Sequence, residues 1–338
     1  MKVSKENTMT CGGSCKDTCC HYSKFCSGCN DNCRAAFCHY GHCSSCDYLC
    51  SRRSGAETLF NTLGGPEFPY LRISPTTWPG EVPPILPAVA TRFGDMPAPG
   101  SLPWVVINAA RMVISRNFKA GGLRRKSGNI REFARVHPDT RIAMHMYIPD
   151  PPLEAFWRTR RDIYPSLREF DLVIAPNFSV YEDSPRLEHL INIKRSTLVY
   201  VEMLQNGIRA VPDVSWATYD DLDRWADYIN RYSIPVISTS IQTVHQNASN
   251  YWRKYLNGVQ YLARKIPRET VIILAGAGSI GKIKTIRIEI RQQLVFLTTQ
   301  PFLLARKGRL INRQLAVGPR NYDRLFLENL EAFRKEIL

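Results

Sequence analysis

Residues 209–240 read RAVPDVSWATYDDLDRWADYINRYSIPVISTS, one strand–helix–strand unit. Arg209–Pro212 and Pro235–Ser240 are short apolar runs. Tyr219–Tyr232 between them sets Leu222, Trp225, Ala226 and Ile229 on one side at helical spacing. Two strands separated by a helix pair in parallel, and the crossover is right-handed.

The same alternation extends in both directions. Trp104–Asn108, Arg141–Tyr147, Leu172–Pro176, Val271–Ala275 and Leu294–Thr298 read as further strands. Ser249–Lys265 reads as a helix presenting Trp252, Tyr255, Leu256, Val259 and Leu262, and Asn321–Leu338 as a closing helix burying Leu325, Phe326, Leu330 and Phe333. Ile283–Arg291 is compatible with a strand or with part of a helix. The expected fold class is α/β, with a mostly parallel sheet covered on both faces. Between an open doubly wound sheet and a barrel, the barrel is favoured: seven strands are close to eight, and residues 102–338 approach the roughly 250 that a TIM-like barrel takes.

Upstream the composition changes twice. From Ser54, SGAETLFNTLGG predicts a short capped helix with Leu59, Phe60 and Leu63 on its apolar side, stopped by Gly64-Gly65. Between Pro66 and Pro103 lie 10 of the 22 prolines, a density that forbids a long helix. Phe68, Tyr70, Leu71, Trp78, Ile85 and Leu86 make this stretch a strap packed on the body rather than a free linker. The expected organisation is therefore a cysteine-rich module at 1–54, a helix and proline-rich strap at 55–103, and a barrel-like domain at 104–338.

All 11 cysteines fall within the first 50 residues: Cys11, Cys15, Cys19, Cys20, Cys26, Cys29, Cys33, Cys38, Cys43, Cys46 and Cys50. Two triplets share the spacing C-x2-C-x3-C, in which a Cys-x-x-Cys pair lets two thiolates reach one metal. The N-terminus MKVSKENTMT has no apolar run, and no later stretch is long and apolar enough to span a bilayer. A cytoplasmic location follows as the expectation, and a reducing compartment argues against a disulfide framework. Soft thiolates suit zinc and iron–sulfur clusters alike. Lack of the two distant Cys-x-x-Cys pairs of a zinc ribbon tilts the expectation toward iron–sulfur.

The formal net charge of +15 makes polyanions the first partners to consider. Arg111–Arg135 concentrates that charge, and its centre, Arg124, Arg125 and Lys126, is flanked by Gly121, Gly122 and Gly128. A loop of this kind suits a phosphate backbone, because counterion release rewards each neutralised phosphate. A basic run is also compatible with a merely solvated loop.

Chemistry is expected at the carboxyl ends of the strands. PNFSVYEDSP supplies Asn177 and Ser179, and PDVSW supplies Asp213, an acid at a strand exit beside Trp216, where a raised pKa would suit it to general acid–base work. His145, in IAMHMYIP, is placed to pair with Asp213, although a histidine among methionines is more often a core residue. Single Asn, Asp and Ser residues at such exits also serve as turn and cap residues. GAGSIGK, Gly276–Lys282, follows a strand and offers Gly276, Gly278, Ser279 and Lys282 to a phosphate, yet lacks both the Rossmann context and the GxxxxGK[ST] pattern.

The run DLVIAPNFSVY, with VPDVSW further on, resembles a bacterial and phage group, domain-of-unknown-function family 4417, over roughly Asp171–Arg309. Pro176, Asn177, Phe178, Ser179, Val180 and Tyr181 match one family pattern, in which Asn177 replaces an acid. Val211, Pro212, Asp213, Val214, Ser215 and Trp216 match a second. The resemblance implies a link to mobile genetic elements and no particular activity. Three functions stay open: a metal-cluster protein binding nucleic acid or another polyanion; a metal-dependent enzyme acting on a phosphorylated small molecule at the strand ends; and a zinc-stabilised interaction protein without catalysis.

Overall fold

The structure, a computed structural model, describes residues 56–90, 92–112, 129–180, 186–241, 249–276, 279–311 and 321–337. The cysteines, Arg124, Arg125, Lys126 and Gly278 lie outside the described residues, as do Tyr181 and Asp183.

In chain order the elements are α1 (Ala56–Thr62), β1 (Ile85–Val89), β2 (Trp104–Asn108), α2 (Ala109–Met112), α3 (Ile130–Ala134), β3 (Arg141–His145), α4 (Asp150–Leu167), β4 (Leu172–Ile174) and α5 (Arg186–Gln205). There follow β5 (Ala210–Val211), α6 (Tyr219–Tyr232), β6 (Val236–Ser240), α7 (Ser249–Lys265), β7 (Val271–Ala275), α8 (Ile280–Glu289), β8 (Leu294–Thr298), α9 (Gln300–Arg306) and α10 (Tyr322–Ile337). The strands form one eight-stranded sheet in the order β5-β4-β3-β2-β1-β8-β7-β6. Every ladder is parallel, as the strand–helix alternation requires.

The two edge strands meet. Asp213, just past β5, forms a parallel bridge with Ser238 of β6. The Val214 N–H donates to the Ser238 carbonyl at 2.7 Å, and the Ser238 N–H to the Pro212 carbonyl at 2.9 Å. The sheet is thus a nearly closed, barrel-like one. Its seam is short because β5 has two residues and is followed by Pro212, which has no N–H to extend a ladder.

Three strands match their sequence expectation end to end, and four are shorter by one or more residues. The eighth, β1, lies in the stretch read as a proline-rich strap and pairs with both β2 and β8. Proline argues against an interior strand because it donates nothing to the ladder. Here Pro84 still accepts from the Phe296 N–H at 2.9 Å, and the lost donors are tolerated. Ile283–Arg291, left open between strand and helix, lies largely within α8.

Alternate residues of the strands pack into a single interior cluster that includes Leu86, Val106, Ala143, Ile174, Ile273 and Leu297. Trp78 packs against this cluster and lies 5.3 Å, ring to ring, from Trp104, the first residue of β2. The proline-rich segment therefore covers the amino-terminal end of the strands.

The chain divides into two compact units. The larger comprises Leu71–Asn177, Val199–Val214 and Leu222–Leu338 and contains the whole sheet. The smaller groups the described residues 56–70 with those of Phe178–Leu198 and Ser215–Asp221. Within it, the first half of α5 buries Glu188, His189, Asn192, Lys194 and Arg195, a helix face far more polar than an ordinary core. Arg195 lies 3.8 Å above the Phe178 ring, Lys194 donates to the Glu67 carbonyl, and Arg186 makes two hydrogen bonds to Asp221, at 2.6 and 2.8 Å. Burial pushes the Asp221 carboxyl up, but Arg186 and the Ala217 and Thr218 amides outweigh it and hold the pKa below the ordinary value.

Candidate active site

Polar side chains gather in the interior at the seam between β5 and β6. Strand periodicity places Ala143, His145 and Tyr147 on the same side of β3 and its continuation, so Tyr147 reaches the seam. Its hydroxyl donates to Asp213 Oδ1 at 2.8 Å and lies 2.6 Å from the Ser238 hydroxyl. Ser238 also approaches the Ile273 carbonyl, but at 3.3 Å, so donation to Tyr147 is the shorter bond. The order of donors is Ser238 to Tyr147 to Asp213, a line joining the middle of β6 to the segments just past β3 and β5.

Asp213 is 1% exposed. Burial raises its pKa from 3.8 to about 7, although Tyr147 and the Asn177 side chain both stabilise the charged form. Oδ2 has no hydrogen-bond partner among the described residues. Burial likewise lowers His145 to about 4, so its imidazole is neutral at pH 7, and neither ring nitrogen has a partner. The tyrosine hydroxyl is raised well above its ordinary value, first by burial and then by the Asp213 charge. Beside this line, Thr239 donates to the Val214 carbonyl at 2.9 Å and shares a 3.0 Å hydrogen bond with the Tyr255 hydroxyl.

Of the residues read from sequence, the structure brings Asn177 to Asp213. Asp213 takes its hydrogen bond from Tyr147 rather than from His145, whose ring lies 5.9 Å from the Tyr147 ring. Ser179 belongs to the smaller unit, where its carbonyl accepts from the Asn192 amide at 2.8 Å. In the glycine segment, the Gly276 N–H donates to the Leu297 carbonyl, and Ser279 caps α8 by accepting from the Lys282 N–H. The Lys282 ammonium lies 4.5 Å above the Trp252 ring, with its pKa lowered by burial. Each of these groups has a structural engagement of its own within the fold.

Tyr147 and Tyr255 are functional candidates that sequence reading missed. The alternation Ala143, His145, Tyr147 contained the signal for the first. Nothing local marked the second, which reads as one more apolar-face residue of α7. Among the described residues no three His, Cys, Asp or Glu side chains gather as metal ligands, and no helix is long and apolar enough to cross a membrane.

Comparison with known proteins places the site inside a recognised stretch. Residues 128–292 match the family described as "Domain of unknown function (DUF4417)", and His145, Tyr147, Asn177, Asp213, Ser238 and Tyr255 all fall within them. The "Gene 1 protein" of Mycobacterium phage D29 is 28% identical over 109 residues, which cover 32% of this chain and 39% of that protein. The "Gene 1 protein" of Mycobacterium phage L5 is 27% identical over 97 residues, covering 29% and 42%. The match thus spans about two fifths of the length of each phage relative. A solved structure of a cube-shaped, highly porous designed protein cage aligns at 10% identity over 59% of this chain and 54% of that one, at a TM-score of 0.28, too low to carry an argument. The resemblance seen in DLVIAPNFSVY and VPDVSW is thereby confirmed over 128–292, a stretch that matches a phage-associated family whose function is unknown.

Proposed function

We propose that the barrel-like sheet carries the active site of an enzyme in which Asp213 transfers a proton to or from a substrate at the carboxyl ends of the strands. One observation carries this reading: a buried carboxyl on the seam whose pKa is about 7, with one oxygen held by Tyr147 and the other without a partner among the described residues. A group half protonated at neutral pH is the most effective general acid or base there. Tyr147 orients the carboxyl, Ser238 orients Tyr147, and Asn177 supports the ionised form. The neutral His145 adds a polar surface without charge. Around Asp213 stand hydroxyl and amide groups, which suit a neutral O–H or N–H function on the substrate.

The test compares small-molecule and oligonucleotide pools incubated with the natural chain or with Asp213→Asn, read by mass spectrometry. The expected result is a compound consumed by the first and untouched by the second. Identical profiles would sink the reading. Once a substrate is known, its turnover should change with pH through an inflection near 7, where Asp213 titrates.

A second reading concerns the cysteine segment. Its two C-x2-C-x3-C triplets support a bound metal, iron–sulfur or zinc, and the +15 net charge supports a polyanion such as nucleic acid as partner. Metal content and visible absorbance of anaerobically purified protein test the first part. Metal-free protein with its thiols paired as disulfides would refute it.

A further inference from the structure

A cavity of about 900 Å³ lies in the larger unit between the loop after β1, the carboxyl end of α3, α9 and the start of α10. Four arginines line it: Arg92, Arg135, Arg306 and Arg324. All four are exposed. Among the described lining residues two carboxylates accompany them, Asp95 and Asp323, and outside the lining Glu328 pairs with Arg324 at 2.9 Å. Asp323 already accepts the Gly94 and Asp95 amides, each at 2.8 Å, so part of its charge is answered by backbone.

The frame around these arginines is firm. Phe93 and Phe326 are buried with ring centroids 5.5 Å apart. A Cβ on Gly94 would come within 3.1 Å of Asp323 Oδ2, a tight contact that a larger residue could relieve only by moving that carboxylate a few tenths of an ångström. Arg135 holds a left-handed backbone conformation, φ 56°, where glycine is the usual residue, and its guanidinium donates to the Gly94 carbonyl at 2.6 Å. A non-glycine residue there costs about 1 kcal/mol, so the position keeps a cation at a price in backbone strain. The Arg306 guanidinium stacks 5.1 Å from the centre of the Tyr322 ring. The start of α10 is capped by Asn321, whose Oδ1 accepts from the Asp323 and Arg324 amides.

We infer that this cavity is a binding site for phosphate groups of a nucleotide, free or within a nucleic-acid strand. Guanidinium groups match phosphate in geometry as well as charge, and several converging on one cavity favour an oligoanion over a carboxylate. Tyr322 and Phe302 add aromatic surface at the rim of a volume large enough for one nucleotide. The site differs in every residue from the Asp213 line and does not depend on it.

The test uses the full chain, with adenosine triphosphate and a fluorescein-labelled 12-residue oligothymidylate as probes, and measures affinity at two salt concentrations. Arg92→Ser combined with Arg306→Ser should weaken binding at least tenfold and flatten its salt dependence. Lys284→Ser combined with Lys335→Ser, which removes the same charge from exposed positions on α8 and α10, should not. Loss for both probes assigns a free nucleotide's phosphates, and loss confined to the oligonucleotide assigns a strand. The inference is overturned if neither probe binds the natural chain, if the arginine variant binds both as before while melting normally, or if the lysine control loses as much affinity.

Discussion

At the scale of single residues, Asp213 and His145 are opposite cases of one cause. Burial disfavours the charged form of each, raising the acid to about 7 and lowering the base to about 4. Tyr147 works against burial by donating to Asp213 Oδ1. Removing that donor with Tyr147→Phe should therefore raise the Asp213 pKa further, by about one unit, since a hydrogen bond to a charged group contributes about 1.5 kcal/mol or more. The carboxyl resonance of labelled protein, followed with pH, checks this; a natural-chain midpoint near the ordinary 3.8 would show that the carboxyl is not buried as described. His145 leaves two buried ring nitrogens without partners. His145→Leu should accordingly stabilise the fold by about 1 kcal/mol in urea denaturation at pH 7, because an orphaned polar group is replaced by an apolar one. Asp213 was legible in sequence as an acid following a strand. Tyr147 was legible only as an inward position in the alternation of its strand, because a hydroxyl's partner 66 positions away leaves no local trace.

Elements show how far local pattern carries. Helices α6 and α7 follow directly from apolar residues at helical spacing, and β7 and β8 from short apolar runs. Strand β1 does not, since Pro83, Pro84 and Pro87 conceal it and only its pairing with β2 and β8 reveals it. If β1 is an interior strand, Leu86→Ala should cost about 3 kcal/mol in denaturant unfolding. The exposed Ile73 of the same proline-rich segment should tolerate alanine within about 0.5 kcal/mol. Equal small effects would restore the strap reading for 85–89. In the smaller unit, Arg186→Met would leave the fully buried Asp221 facing only backbone amides. The expected loss is about 3 kcal/mol, measured in the same way.

At the scale of the whole molecule the two shifted groups combine in the dependence of stability on pH. Asp213 binds its proton more tightly folded than unfolded, so between about pH 4 and 7 it makes stability fall as pH rises, by about 1.4 kcal/mol per unit. His145 binds its proton less tightly when folded, so between about pH 4 and 6.5 it makes stability rise with a similar slope. The two contributions largely cancel over the shared range. Relative to the natural chain, Asp213→Asn should gain stability with rising pH between 4 and 6.5, and His145→Leu should lose it; parallel curves for all three proteins would contradict the burial of both groups. The sequence by itself determined the α/β alternation, the parallel sheet and the polar strand exits, because spacing at periods of two and 3.6 is a property of neighbouring residues. Closure at Asp213 and Ser238, the strand hidden among prolines, the Ser238–Tyr147–Asp213 line and the arginine cavity were decided only by tertiary structure. Each depends on groups far apart in the chain, and local sequence does not record which distant group a side chain will meet.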